Sequence, residues 1–104
     1  MTAAGLSRRG AGELLCLGIS YRAAPVALRE RAALAPQQAV HFTTALCADP
    51  DVEEAVAIST CNRTELYLVA ADPVAAEGAA LAQLARHAGI RPTELAELSY
   101  SPRN

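Results

Sequence analysis

Apolar residues run without a break from Leu14 to Leu17 and on through Ile19, closed by Gly18 and Ser20. That pattern predicts a central strand covered on both faces. Pro25 suits a first helical position and opens a short helical turn over Val26 to Ala33, whose Arg29, Glu30 and Arg31 require partial exposure. Pro36 opens a second helix reaching about Ala48, with Ala39, Phe42 and Leu46 on one apolar stripe. Asp49-Pro50-Asp51 ends it, because proline cannot continue a helix and aspartate favours turns.

Further on, Val56 and Ile58 alternate with Ala55, Ala57 and Ser59, the period of a strand. Leu66 to Val69 reads as another, and the few residues between them read as a hairpin with Cys61 near its bend. Asp72-Pro73 is a cap followed by proline just inside a helix. Val74, Leu81, Leu84, Ala85 and Ala88 then share a face, and Gly89 is the stop. Thr93 to Leu98 adds a helical turn, and Leu98 to Ser101 a last edge strand. Strand, helix, strand, strand, helix, strand is the split βαβ order. The expected fold is therefore α+β and ferredoxin-like, one antiparallel sheet with helices on one face.

Composition narrows the function classes. The 104 residues suffice for one core, and the hydrophobic share of 52% argues against disorder, although alanine supplies much of it. Residues 1–12, small and polar with Arg8 and Arg9, are expected to be a disordered extension, leaving 13–104 as the domain. A net charge of −2 presents no global basic field for nucleic acid, though it leaves room for a local arginine contact. Cys16, Cys47 and Cys61 are odd in number and lack the spacing of a disulfide framework or a zinc site, so no metal is expected and the thiols read as free in a reducing cytoplasm. No apolar run reaches the roughly 20 residues that span a bilayer.

The informative segment is Ser59-Thr60-Cys61-Asn62-Arg63-Thr64-Glu65. A cysteine at a strand end, two positions from an arginine, is placed as a nucleophile, since a nearby cation and partial exposure favour thiolate. The same residues also fit an ordinary turn with a solvated charge. No histidine stands beside them in sequence, so the local pattern names no reaction.

The run Ser59 to Tyr67 resembles the signature of glutamyl-tRNA reductases. A second stretch, Gly18-Ile19-Ser20-Tyr21-Arg22-Ala23-Ala24-Pro25-Val26-Ala27-Leu28-Arg29-Glu30, is similar to that family's opening motif at the right distance upstream. The resemblance implies that Cys61 attacks the ester joining glutamate to tRNA and becomes a glutamyl thioester. NADPH then reduces this to glutamate-1-semialdehyde, at the head of the five-carbon route to tetrapyrroles. Thr60, Asn62 and Arg63 align with the substrate-contacting residues, and the planar fork of Arg63 suits the glutamate carboxylate. The resemblance also implies a homodimer formed by later helices and hand-over to glutamate-1-semialdehyde aminotransferase.

This sequence departs from the pattern in two ways. Tyr21-Arg22-Ala23 stands where many members have histidine, a basic residue and a hydroxyl residue. The family's downstream histidine, NADPH domain and dimerisation helices have no counterpart before Asn104, and His41 and His87 read as surface or boundary residues of helices. No glycine makes the Gly-x-Gly-x-x-Gly turn that would cradle a dinucleotide. The rival expectation is a truncated, non-catalytic copy that binds tRNA or a protein. Glu65 reads as a solvated strand charge, Cys16 as a buried small hydrophobe, and Arg22, Arg29 and Arg31 as a solvated helix face in preference to a local patch for tRNA phosphates.

Overall fold

The computed structural model describes residues 2–7, 12–20 and 24–100. Eight elements follow in order: β1 (Thr2–Ser7), β2 (Glu13–Ser20), α1 (Val26–Ala32), α2 (Pro36–Cys47), β3 (Val52–Ser59), β4 (Arg63–Ala70), α3 (Pro73–Ala88) and α4 (Pro92–Leu98). The class is α+β, as expected. The sheet is antiparallel with strand order β1-β3-β4-β2. β4 lies between β2 and β3 and is antiparallel to both, so β2 and β3 run parallel to each other.

Three expectations about strands change. Residues 2–7 of the supposed disordered extension form β1, paired with β3 from Thr2↔Ser59 to Ser7↔Glu54. A run of small residues has no alternating signature; this strand is held by the backbone groups that β3 would otherwise leave open at its edge. Secondly, β2 is not covered on both faces. Leu15, Leu17 and Ile19 are buried, but Leu14 on the other side is 56% exposed. Thirdly, the last edge strand shrinks to one bridge, in which Gly18 and Tyr100 exchange two backbone bonds of 2.9 Å. Ser101 and the Tyr21-Arg22-Ala23 departure lie outside the described residues.

The helices cover one face only. α2 lies under β1 and β3, α3 under β2 and β4, and α4 packs on α3. The residues that meet are small: Ala55 and Ala57 from β3, Ala39 from α2, and Ala76, Ala80, Ala85 and Ala88 from α3 are all buried. Alanine at both surfaces lets helix and sheet approach closely, and Val56 and Ile58 consequently point to the open face. Leu66, Leu68, Leu84 and Leu95 supply the bulk of the filling. Val74, expected on the buried face of α3, is 70% exposed, because the buried row runs through Ala76, Ala80, Leu84 and Ala88 at four-residue steps.

Capping follows the sequence. The Asp72 carboxylate accepts the Ala75 N–H at 3.2 Å, and Gly89 ends α3 at φ 74°, the left-handed conformation that glycine adopts without strain. Ala35 has no side-chain acceptor, so α2 carries only the reciprocal half of a capping box, the Ala35 N–H donating to Gln38 Oε1 at 2.9 Å. Among the described residues no helix is long and apolar enough to cross a membrane.

Candidate functional site

Cys61 and Asn62 form the exposed tip of the β3–β4 hairpin. Such a two-residue connection usually needs left-handed backbone, yet among the described residues only glycine has positive φ. Thr60 resolves the conflict. Its N–H donates to the Arg63 carbonyl at 2.8 Å, and its Oγ1 accepts the N–H groups of Asn62 at 3.2 Å and Arg63 at 3.3 Å. A side-chain oxygen thus replaces the backbone acceptor that would close an ordinary turn. The Thr60 hydroxyl, expected to face substrate, is engaged in holding the tip, and the thiol of Cys61 is presented to solvent on a fixed bend.

Beneath the tip, two buried hydroxyls tie the hairpin to the connector between α1 and α2. The Leu34 N–H donates to Ser59 Oγ at 3.0 Å, Ser59 Oγ and Thr64 Oγ1 are 3.1 Å apart, and Thr64 Oγ1 donates to the Ala32 carbonyl at 3.2 Å. The ends of this chain fix its direction. A carbonyl only accepts, so Thr64 uses its one proton on Ala32, and the middle bond must be donated by Ser59. Every polar group in the chain is matched, and the residues flanking the cysteine have a structural purpose that the sequence does not announce.

Arg63, Glu65 and Tyr67 alternate along β4 onto the open face. Glu65 is not the solvated charge expected. Its side chain is 13% exposed, and its carboxylate accepts from the hydroxyls of Tyr67, at 2.9 Å, and Tyr100 while standing 3.5 Å from the Arg63 guanidinium. Burial pushes the Glu65 carboxyl up, but the two hydroxyls and Arg63 together hold it below its ordinary value. Its carboxylate in turn raises Tyr67 to about 12, with burial adding to the shift. Tyr100 is raised as well, by burial first and then by the bond to Glu65. Gly18 makes room for this arrangement: a Cβ there would lie 2.5 Å from the Tyr100 ring.

Arg63 itself is 42% exposed, so part of its guanidinium remains open beside the tip. The sites expected at Thr60, Cys61, Asn62 and Arg63 therefore lie together on one hairpin end. Glu65, Tyr67 and Tyr100 join them as supports. Tyr100 is 35 positions from Glu65, and only alternation along β4 hints at the Glu65–Tyr67 pair.

The other candidates lie elsewhere. Cys47 is buried, while Cys16 is half-buried on the open face beside Tyr67 rather than in the core. Burial and the Glu65 charge raise the Cys16 thiol, partly offset by the Tyr67 hydroxyl. His41 is exposed and His87 half-buried, as expected for boundary residues; both belong to the helix layer, where His87 Nε2 is 2.8 Å from the Ala33 carbonyl. Of the glycines, Gly18 is covered by Tyr100, Gly78 is inside α3, and Gly89 is its cap.

Residues 17–104 match the model of the family described as "Glutamyl-tRNAGlu reductase, N-terminal domain". Proteins named glutamyl-tRNA reductase are similar over the same region. The one from Salinispora arenicola is 44% identical over 88 residues, covering 85% of this chain and 19% of that protein. The Rubrobacter xylanophilus protein is 48% identical over 84 residues (80% and 19%), and that of a Marinomonas species 38% over 88 residues (85% and 21%). The chain thus spans about a fifth of the length of these curated relatives. With its cysteine hairpin, and a family match from residue 17 onward, the chain belongs to the glutamyl-tRNA reductase N-terminal domain family.

Proposed function

We propose that this chain is the thiol-bearing catalytic domain, residues 13–104, of an NADPH-dependent glutamyl-tRNA reductase. The observation that carries the reading is the exposed Cys61 on a bend locked by Thr60, beside the partly open guanidinium of Arg63. The Cys61 thiolate attacks the ester carbonyl carbon of glutamyl-tRNA. The bond from that carbon to the ribose oxygen breaks, the oxygen takes up a proton as tRNA leaves, and a glutamyl thioester remains on Sγ. Arg63 binds the glutamate side-chain carboxylate, with Glu65 holding the guanidinium from the opposite side. Asn62, exposed at the tip, is a further hydrogen-bonding partner for the substrate.

NADPH supplies the hydride that gives glutamate-1-semialdehyde in this reading. Its site is placed, in this reading, outside the segment, with the dimer contacts. The aminotransferase that consumes the semialdehyde is the proposed downstream partner, in the cytoplasm. The sheet is read as ferredoxin-like with an added edge strand, supported by the insertion of β4 between β2 and β3 and by the Tyr100 bridge.

The test is to mix the chain with glutamyl-tRNA, quench in acid and map thioesters by mass spectrometry. Glutamate on Cys61, lost in Cys61→Ser, is the expected result. Charged tRNA that binds but never acylates Cys61 would favour the non-catalytic module instead.

A further inference from the structure

A groove of about 480 Å³ lies between the first half of α2 and the last half of α3, the scale of small-ligand sites. It stands at the hairpin end of the domain. Pro36 begins α2 two residues after Leu34, whose N–H meets Ser59, and His87 in the last turn of α3 touches the Ala33 carbonyl. Cys61 lies two residues beyond Ser59, in the bend that follows β3.

The lining departs from the rest of the surface. The chain carries 11 acidic residues against 9 basic, yet the groove has none of the acids; it has Arg86, His41, His87 and glutamines over the buried ring of Phe42. Among the described residues Arg86 is in no ion pair. The amides are already half used, in opposite senses. Gln38 offers its Oε1 to Ala35 and keeps its amide nitrogen, whereas Gln83 donates its nitrogen to the Phe42 carbonyl at 2.9 Å and keeps its oxygen. His87 must carry its proton on Nε2 to meet a carbonyl, and its ring is set edge-on to Phe42 at 6.4 Å. A bare anion would need only Arg86. A donor and an acceptor amide on facing helices, an exposed imidazole and a guanidinium together suit a nucleotide, with its hydrogen-bonding edge, stacking face and phosphate.

We infer that this groove receives the unpaired 3′-terminal nucleotides of the tRNA whose ester Cys61 attacks. The inference rests on the proposed function, because the ester is carried on that same 3′ end. Arg86 takes a phosphate, the exposed His41 imidazole stacks on a base, and Gln38 and Gln83 meet base edges.

The experiment measures binding of the full chain, at one fixed salt concentration, to uncharged glutamate-specific tRNA. The intact tRNA is compared with the same tRNA lacking its last three nucleotides. The intact form should bind roughly tenfold more tightly, within the range expected for stacked single-stranded bases. Arg86→Ala and His41→Ala should each remove most of that preference with unchanged thermal melting, since both residues are exposed. Equal binding of the two tRNAs would overturn the proposal. So would an Arg86→Ala variant that weakens both forms by the same factor, or adenosine and cytidine monophosphates bound in the groove without any tRNA preference. Cys61-dependent loss of the glutamyl ester is read in parallel. If it fails while the 3′-end preference persists, the catalytic reading falls and the groove stands; the reverse result removes the groove alone.

Discussion

Replacing Thr64 with valine keeps the shape of the side chain and removes only its hydroxyl, which makes it a clean probe of the chain from Leu34 to Ala32. Two buried groups then lose their partners: the Ala32 carbonyl has no donor and the Ser59 hydroxyl no acceptor. Thr64 is 2% exposed and Ser59 7%, so water cannot readily substitute. A buried polar group left unmatched costs about 1–3 kcal/mol. With two such groups and a urea dependence of about 1–3 kcal/mol per molar for a small domain, the unfolding midpoint should fall by roughly 2 M. Thr64→Ser, which keeps the hydroxyl and loses one methyl, should cost about 0.8 kcal/mol. The serine variant should therefore be the more stable, although valine is the more apolar residue at a buried site. Ser59→Ala combined with Thr64→Val should cost less than the sum of the single changes, because both break one chain. The measurement is equilibrium unfolding in urea followed by circular dichroism. A valine variant as stable as the wild type would refute the reasoning, showing that the hydroxyls hold nothing of consequence.

Iodoacetamide at neutral pH should label Cys61 first, Cys16 more slowly because its thiol is raised and half covered, and Cys47 last; peptide mapping that finds Cys16 ahead of Cys61 would contradict this order. Glu65 is held low, so its contribution to stability is present above its unfolded value near 4.5 and lost as pH falls through the lower folded value. Tyr67, raised from 10.0 to about 12, contributes fully below pH 10 and loses that contribution between 10 and about 12. Melting temperature against pH should show both declines, and Tyr67→Phe with Tyr100→Phe should make the alkaline one shallower; an unchanged alkaline slope would dismiss the tyrosine–Glu65 cluster as its source. In an enzyme competent for the whole reaction, Arg63→Lys should lose roughly 10-fold or more in kcat/KM and narrow the preference for glutamyl- over glutaminyl-tRNA, since a point charge cannot replace the planar fork. Unchanged discrimination would mean another group reads the carboxylate.

Much of the fold was legible from periodicity and punctuation. Pro36, Asp49-Pro50, Asp72-Pro73 and Gly89 mark helix ends that the structure keeps, since these residues act through their own backbone geometry. What was not legible depends on which face of an element meets its neighbour. Val56 looks like a core residue beside Ala55 and Ala57, yet the close approach of α2 makes the alanines the buried set. β1 is invisible for a related reason, being defined by backbone pairing with β3 and not by side-chain alternation. At the site, the cysteine motif and its arginine stood out. The uses of Ser59, Thr64 and Glu65 did not, because their partners Leu34, Ala32 and Tyr100 are 25 to 35 positions away.

The register of β1 has a practical consequence for anyone preparing this protein. Thr2 is paired with Ser59, two residues from Cys61, so β1 begins beside the tip of the hairpin. A purification tag joined directly ahead of β1 would emerge at the hairpin end that carries Cys61. It would crowd the tRNA of the proposed reaction, and a polyhistidine tag would bring metal-binding imidazoles near a thiol. Assays of acylation or labelling are better made after the tag has been cleaved away.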